Sequence, residues 1–311
     1  MHENLVQKII ARHFTESPRE LIRKPIGLCN EVYEAVLAEQ SVIVRIGVNS
    51  DNLKGSGKFI PIFKSLKILV PDILAEDYSR ELVPYPYQIL TKLEGNDLVE
   101  VIQDMTKIEL AAVAKEIASI LQKLSVLPTN GKFGWFCIDD SGITVKSQAD
   151  VVRTDIQGAS AKMQDSGIYS LELSEKVQTV YQKYETYFQD VSSTLYFDDL
   201  NSKNVMVNNG VFTGLVDIDG MVHGDPLNAV GAMRANWPNM SYGDFYINAV
   251  MDALDLSSKQ RSIVDAYAVF HRYSWMAENG QLFNANTRHG INTDKLEKDK
   301  RALSLLINKV L

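Results

Sequence analysis

Asp198, Asp199, Asn201 and Asn204 stand between two apolar stretches in LYFDDLNSKNVMV, residues 195–207. Asp199, Leu200 and Asn204 spell D-L-x-x-x-N, and LVDIDG further on puts Asp217 at the end of another apolar stretch. A short hairpin around Asn208–Gly210 would lay the two stretches side by side and bring Asn204 and Asp217 to the same end of a small sheet. Such a set suits phosphoryl transfer. One carboxylate, Asp199, can orient an attacking hydroxyl and accept its proton. A second carboxylate and an amide oxygen, Asp217 and Asn204, can hold Mg²⁺ against nucleotide phosphates. Mg²⁺ takes hard oxygen ligands and commonly only one or two from the protein. Asp and Asn are also ordinary turn residues, so the spacing alone carries little. Its weight comes from the strand pair it leads into and the acid at that pair's far end.

The elements that must position this set follow from the pattern upstream. ENLVQKIIARHF, residues 3–14, has helical spacing at Leu5, Ile9, Ile10 and Phe14. LIRKPIG, EVYEAVLA and SVIVRIG read as three short antiparallel strands, and VPDILAEDY and YPYQILTKL as two more. Residues 57–69 read as a helix on that sheet, with Pro61 in its first turn. Beyond EGNDL the chain turns helical, and Thr106 and Glu109 form a capping box ahead of LAAVAKEIASILQKL. Helices are expected near 151–164 and 174–189, and again from the second small strand pair to the end. This is an α+β order. A β-rich lobe over residues 1–93 meets a helix-rich lobe over 94–311 at a hinge near Lys92–Gly95, and the cleft between lobes is a natural ligand site.

Bulk properties narrow the function. The 311 residues carry 39 acidic and 32 basic side chains, a net charge of −7, which argues against a nucleic-acid partner and favours a cationic small ligand. Two cysteines, Cys29 and Cys137, make no disulfide framework and fit a reducing cytoplasm. The opening residues have no signal-peptide pattern, and no window reaches about 18 consecutive apolar residues, so neither export nor a membrane span is expected.

LYFDDLNSKNVMVNNGVFTGLVDIDGMVHGDP, residues 195–226, resembles the catalytic segment of the aminoglycoside phosphotransferase family, which runs roughly H-G-D-L-x-x-x-N, then I-D-[WF], then G-D-P. The resemblance implies a two-lobed, protein-kinase-like fold: a five-stranded antiparallel N-terminal lobe plus a larger helical C-terminal lobe. It implies Asp199 as catalytic base, Asn204 and Asp217 as Mg²⁺ ligands, and Gly224, Asp225 and Pro226 as the G-D-P. ATP or GTP would be the phosphoryl donor and a hydroxyl of an aminoglycoside-like compound the acceptor, with the protein a monomer. Arg45 takes the place of the phosphate-binding Lys of kinases, and an Arg can fork onto phosphate oxygens. Gly27, Asn30 and Tyr33 occupy the phosphate-loop position, and the backbone at Lys92 and Leu93 would meet the purine. Trp237, Tyr242, Asp244, Trp275 and Glu278, with Asp139 and Asp140, are acceptor-side candidates, since carboxylates and aromatic walls suit an amino sugar.

Three features depart from the family pattern. Phe197 and Asp198 replace His-Gly, and no acid follows Asp51 in NLKGSGKFIPIFKSL to pair with Arg45. Asp198 is expected to face solvent, because neighbours on an extended chain point opposite ways. His223 and His271 carry no catalytic role in this reading. The motif is shared with kinases of choline, homoserine and sugars, and the departures would also suit a nucleotide-binding protein without turnover.

Overall fold

The computed structural model of this chain describes residues 2–24, 30–281 and 290–311. Helix α1 (Glu3–His13) precedes strands β1 (Glu20–Lys24), β2 (Asn30–Val36) and β3 (Ser41–Gly47). Helix α2 (Ser50–Ser65) then leads to β4 (Ile73–Asp77) and β5 (Tyr87–Thr91). The five strands form one antiparallel sheet in the order β1-β2-β3-β5-β4. Side chains that alternate in direction along each strand give it two faces. Tyr33, Ala35, Val42, Val44, Ile46, Tyr87 and Ile89 pack with Val6, Ile9 and Ile10 of α1. Cross-strand pairing of Val32 with Arg45, Glu34 with Ile43, and Arg45 with Gln88 puts Arg45 on the opposite face, toward α2. Tyr33 thus lies away from the face that carries Arg45, and its hydroxyl donates to Glu31.

Helix α2 starts earlier than its pattern suggests. Asn49 caps it, its side chain accepting from the backbone N–H of Asp51 at 3.0 Å, and Pro61 falls in the interior rather than the first turn. The start reads as loop because of Gly55 and Gly57. Gly55 is there because the helix backbone abuts the Asp219 carbonyl so closely that a Cβ could not fit.

After the hinge come β6 (Asn96–Asp97), the one-turn α3 (Leu98–Val101), α4 (Lys107–Ser125), β7 (Gly134–Phe136), α5 (Gln148–Asp165) and α6 (Leu171–Asp190). Then follow β8 (Thr194–Tyr196), β9 (Val205–Asn208), β10 (Val211–Leu215), β11 (Met221–Gly224), α7 (Leu227–Asn236), α8 (Ser241–Ala253), α9 (Ser258–Ala277) and α10 (Thr293–Val310). The capping box at Thr106 and Glu109 starts α4 as its sequence requires. Strands β9 and β10 are joined by Asn209 and Gly210, both at positive φ, as a tight right-twisted hairpin demands. At the hinge, Gly95 has φ +103° and lies where a side chain would strike the Val207 carbonyl. The Thr213 hydroxyl donates to the Glu94 carbonyl at 2.7 Å, stitching the hinge to β10. One large core runs from α2 through the helical lobe. Among the described residues no helix is long and apolar enough to cross a membrane.

Candidate active site

Strand β8 delivers the chain to the catalytic segment, and two buried apolar side chains hold that segment down. Phe197 and Leu200 are each 1% exposed. Phe197, where the family pattern has His, packs edge-on against Phe63 of α2 with ring centroids 5.7 Å apart. It therefore ties the segment to the upper lobe by packing alone. Between these anchors, Asp199 accepts a hydrogen bond from the Asn201 amide. Asn204 is buried, and its amide nitrogen donates to the Asp199 carbonyl at 3.0 Å, which turns its oxygen the other way. The Asn204 carbonyl in turn accepts from the N–H of Val216, next to Asp217. The hairpin thus brings Asn204 and Asp217 to one end of the small sheet.

Asp217 adopts a left-handed backbone, φ 60°, which is uncommon outside glycine and typical of functional sites. Its carboxylate accepts from Arg45 Nη2 at 2.7 Å, and its side chain remains 49% exposed. Arg45 itself is 4% exposed. The same Nη2 reaches Asp219 at 2.5 Å, Arg45 Nη1 donates to Ser56 Oγ at 2.8 Å, and Ser56 Oγ donates to Asp219 at 2.5 Å. Asn30 also points its amide at Asp219, at 3.4 Å. Asp219, Ser56 and Lys203 are the members of this cluster that the motif reading passed over. The signal for Asp219 is its place two residues after Asp217. Lys203, inside D-L-N-S-K-N, bears electrostatically on Asp199 and Asp217.

The carboxylates crowd one another. Burial raises the Asp199 carboxyl above its ordinary range, opposed by hydrogen bonds from Asn204 and Asn201 and by the Lys203 charge. Burial also pushes Asp217 up to about 6, with Arg45 pulling down and Asp219 and Asp199 pushing further up. A divalent cation here would reverse that shift by favouring the ionised form. Asp198 does not turn into solvent as the extended-chain argument expects. It is half-buried, and burial first, then the adjoining Asp199 carboxylate, push it up to about 7. The chain leaves β8 before this point and bends, so strand alternation no longer applies.

The remaining candidates separate into groups. Gly27 lies outside the described residues. Lys92 reaches Glu34 on the Arg45 face of the sheet at 2.6 Å, and Glu34 also pairs with Lys24 at 2.9 Å. Leu93 packs against Gly214 of β10. Trp275 flanks His271, ring centroids 5.9 Å apart, and is partly buried on the core. Glu278, at the end of α9, is raised mainly by burial, opposed by the charges of Lys295, Lys203 and Lys162. Trp237, Tyr242 and Asp244 have other partners. Trp237 is 7% exposed and meets Tyr242 and Tyr246 edge-on. Asp244 accepts from Arg234 at 3.0 Å. These contacts join α7 to α8. Asp139 closes a turn onto Ser141, and Asp140 pairs with the buried His223 at 3.2 Å. His223 stacks on Phe136, and His271 bonds Asn228, with burial holding its ring down to about 4 and so neutral.

The profile of the phosphotransferase enzyme family (APH) matches residues 23–249. The chain belongs to this family. Asp199, Asn204, Asp217 and Arg45 all fall within the matched span of this phosphotransferase. No curated protein matches the chain. Among solved structures, a thermostable mutant of aminoglycoside phosphotransferase APH(4)-Ia in apo form is similar at 17% identity and TM-score 0.73, covering 97% of this chain and 98% of that one. The ternary complex of such a mutant with AMP-PNP and hygromycin B gives TM-score 0.72 at 17% identity, with 97% and 98% coverage. The GDP and kanamycin complex of APH(2'')-IIIa gives TM-score 0.76 at 15% identity, with 100% of each chain covered. At these identities the likeness shows the fold: a kinase-like α+β arrangement of a five-stranded antiparallel sheet and a helical portion.

Proposed function

We propose that this phosphotransferase moves the γ-phosphoryl group of ATP or GTP, with Mg²⁺, onto a hydroxyl of a small cationic acceptor of aminoglycoside type. The observation that carries the reading is the convergence of Asp199, Asn204 and Asp217 under Arg45, with Asp217 open on one side. Asp199 orients the acceptor hydroxyl and takes its proton, aided by a carboxyl raised by burial. Asn204 and Asp217 offer the hard oxygen donors that Mg²⁺ prefers, and no cluster of three or more His, Cys, Asp or Glu among the described residues offers another metal site. The cation supplies charge neutralisation of the phosphates. Arg45 and Asn30 would meet the phosphates from the lobe over residues 1–93, and the backbone at Lys92 and Leu93 would meet the base. Turnover then rests mostly on positioning and charge.

On the acceptor side we assign Glu278 and Trp275, not Trp237, Tyr242 or Asp244. Glu278, at the C-terminal end of α9, lies one turn beyond Trp275 on the same helix. Carboxylates beside an aromatic wall suit ammonium groups. A hygromycin-type acceptor is the first to test, given the full-length likeness to structures holding hygromycin B. ADP release with ATP or GTP and Mg²⁺ across aminoglycosides, choline, homoserine and simple sugars tests the reading. Turnover on an aminoglycoside that disappears in Asp199→Ala supports it. Turnover confined to a metabolite removes the acceptor class.

A further inference from the structure

We infer that Asp219 and Ser56 together replace the helix acid that would otherwise hold the phosphate-binding cation of this fold, and that they act as positioning residues for Arg45. The inference rests on the phosphotransferase reading above. Four observations carry it. No Asp or Glu stands in α2 after Asp51, so the helix cannot supply the partner. The α2 residue that meets Arg45 is instead Ser56, fully buried, with its hydroxyl between Arg45 Nη1 at 2.8 Å and Asp219 Oδ1 at 2.5 Å. Gly55 lets the helix backbone close onto the Asp219 carbonyl. At that approach position 55 can carry no side chain, and the segment below brings its own carboxylate to Arg45. The fourth observation is the carboxylate's own bonding. Asp219 Oδ2 takes Arg45 Nη2 at 2.5 Å and lies 3.4 Å from the Asn30 amide, while Oδ1 takes Ser56.

This bonding divides labour between two acids two residues apart. Asp219 is engaged on both oxygens and only 14% exposed, whereas Asp217 is half open. Asp217 is therefore the exchangeable partner of Arg45 and Asp219 the fixed one. When a cation takes Asp217, Arg45 stays anchored at Asp219 and Ser56 with its charge aimed into the cleft. It also explains why Arg stands here rather than Lys. A planar fork can hold Ser56 and Asp219 through two nitrogens at once, which a single ammonium cannot match in fixed geometry. Moving the acid from the helix to the metal-proximal segment joins the orientation of Arg45 and the metal site into one unit.

The test uses the full chain with Asp219→Asn, Asp219→Ala, and Ser56→Asp in the Asp219→Ala background. ADP affinity is measured by calorimetry with and without Mg²⁺, alongside kcat and KM for ATP on the acceptor found in the panel. Asp219→Ala should weaken Mg²⁺-free ADP binding by about tenfold and lower kcat/KM for ATP by about 10²-fold, with the acceptor KM unchanged. Asp219→Asn, of the same size, should show a smaller loss of the same kind. Ser56→Asp should return at least about tenfold of the kcat/KM lost in Asp219→Ala, because it restores a carboxylate beside Arg45. A scaffold role alone would not respond to moving the charge. Unchanged ADP affinity in folded Asp219→Ala, or no rescue by Ser56→Asp, overturns the inference. A wild type that binds ADP but turns over no acceptor is a failure of the phosphotransferase reading instead. The calorimetric arm still decides the role of Asp219 in that case.

Discussion

Two buried arginines in this molecule each bridge two aspartates, and only one of them stands in the proposed reaction centre. Arg45, 4% exposed, joins Asp217 and Asp219 at 2.7 and 2.5 Å. Arg234, 7% exposed, joins Asp244 and Asp265, both at 3.0 Å. Pair geometry does not separate them; charge balance does. Asp265 also pairs with Lys309 at 2.9 Å, so the second group holds two positive and two negative charges and is complete as it stands. The first group has Asp199 bearing on it as a third carboxylate, and its excess negative charge suits a cation. A buried Arg between two acids thus reads as structure when the charges cancel and as a site when they do not.

The largest effect should come from the unbalanced side. Asp199→Asn should lower kcat by about 10²–10⁴-fold, since it removes the proton acceptor, and leave ADP affinity within about threefold. ADP release and calorimetry on the same preparation check both halves. A variant that keeps its turnover would remove Asp199 from the chemistry and erase the contrast with Arg234. Asp217→Ala should abolish the gain in nucleotide affinity that Mg²⁺ gives, a loss of roughly tenfold or more. Titrating ADP with and without Mg²⁺ measures it. If the Mg²⁺-dependent gain survives, Asp217 is not a metal ligand and the charge-balance argument loses its main support.

The balanced side should respond in stability rather than turnover. Arg234→Met leaves Asp244 without its partner and Asp265 with Lys309 alone. The expected cost is about 2–4 kcal/mol, below that of a fully orphaned buried pair because Asp244 is 45% exposed. Urea unfolding at fixed pH checks the cost, and kcat per folded molecule should not change. A lower kcat with unchanged stability would place the α7–α8 region in the acceptor site after all.

How much of this was legible in sequence depends on the distance over which each residue finds its partner. The strands follow from short β-branched and aromatic runs between turn-prone residues, the α4 start from the box at Thr106 and Glu109, and the hairpin from Asn209–Gly210, all within a few residues. The candidate catalytic segment was legible because Asp199 and Asn204 lie just before one short hairpin and Asp217 just after it. Asp219 was not, because its partner Arg45 is 174 residues away. The start of α2 was hidden by Gly55, which serves a contact with Asp219 rather than a turn, and by Gly57. The acceptor side was less legible at Trp237 and Tyr242, because aromatic, turn-rich texture is common to ligand walls and to helix junctions. Only burial separates the two, and burial at Trp237 depends on Tyr246 and Gly243 of the next helix.

The smallest effect concerns Asp198, and its sign follows from the direction of the shift. Its carboxyl is raised from 3.8 to about 7, first by burial and then by Asp199, so the folded chain holds this proton more tightly than the unfolded one. Below the unfolded value both states are protonated and the residue costs nothing. As pH rises from about 4 the unfolded chain ionises first, and stability falls until the folded group ionises near 7. Above that the cost is constant and greatest. Asp198→Asn, which carries no charge at any pH, should therefore add stability that is near zero at pH 4 and about 1–3 kcal/mol at pH 8, a range discounted for the partial exposure of the group. Urea midpoints of both proteins at the two pH values measure it. A pH-independent difference would mean that Asp198 stands in solvent, as strand alternation suggests. It would also leave the crowding of carboxylates at this site to Asp199, Asp217 and Asp219 alone. A difference that grows with pH extends the negative side of the comparison by a fourth acid, one that a cationic acceptor could neutralise.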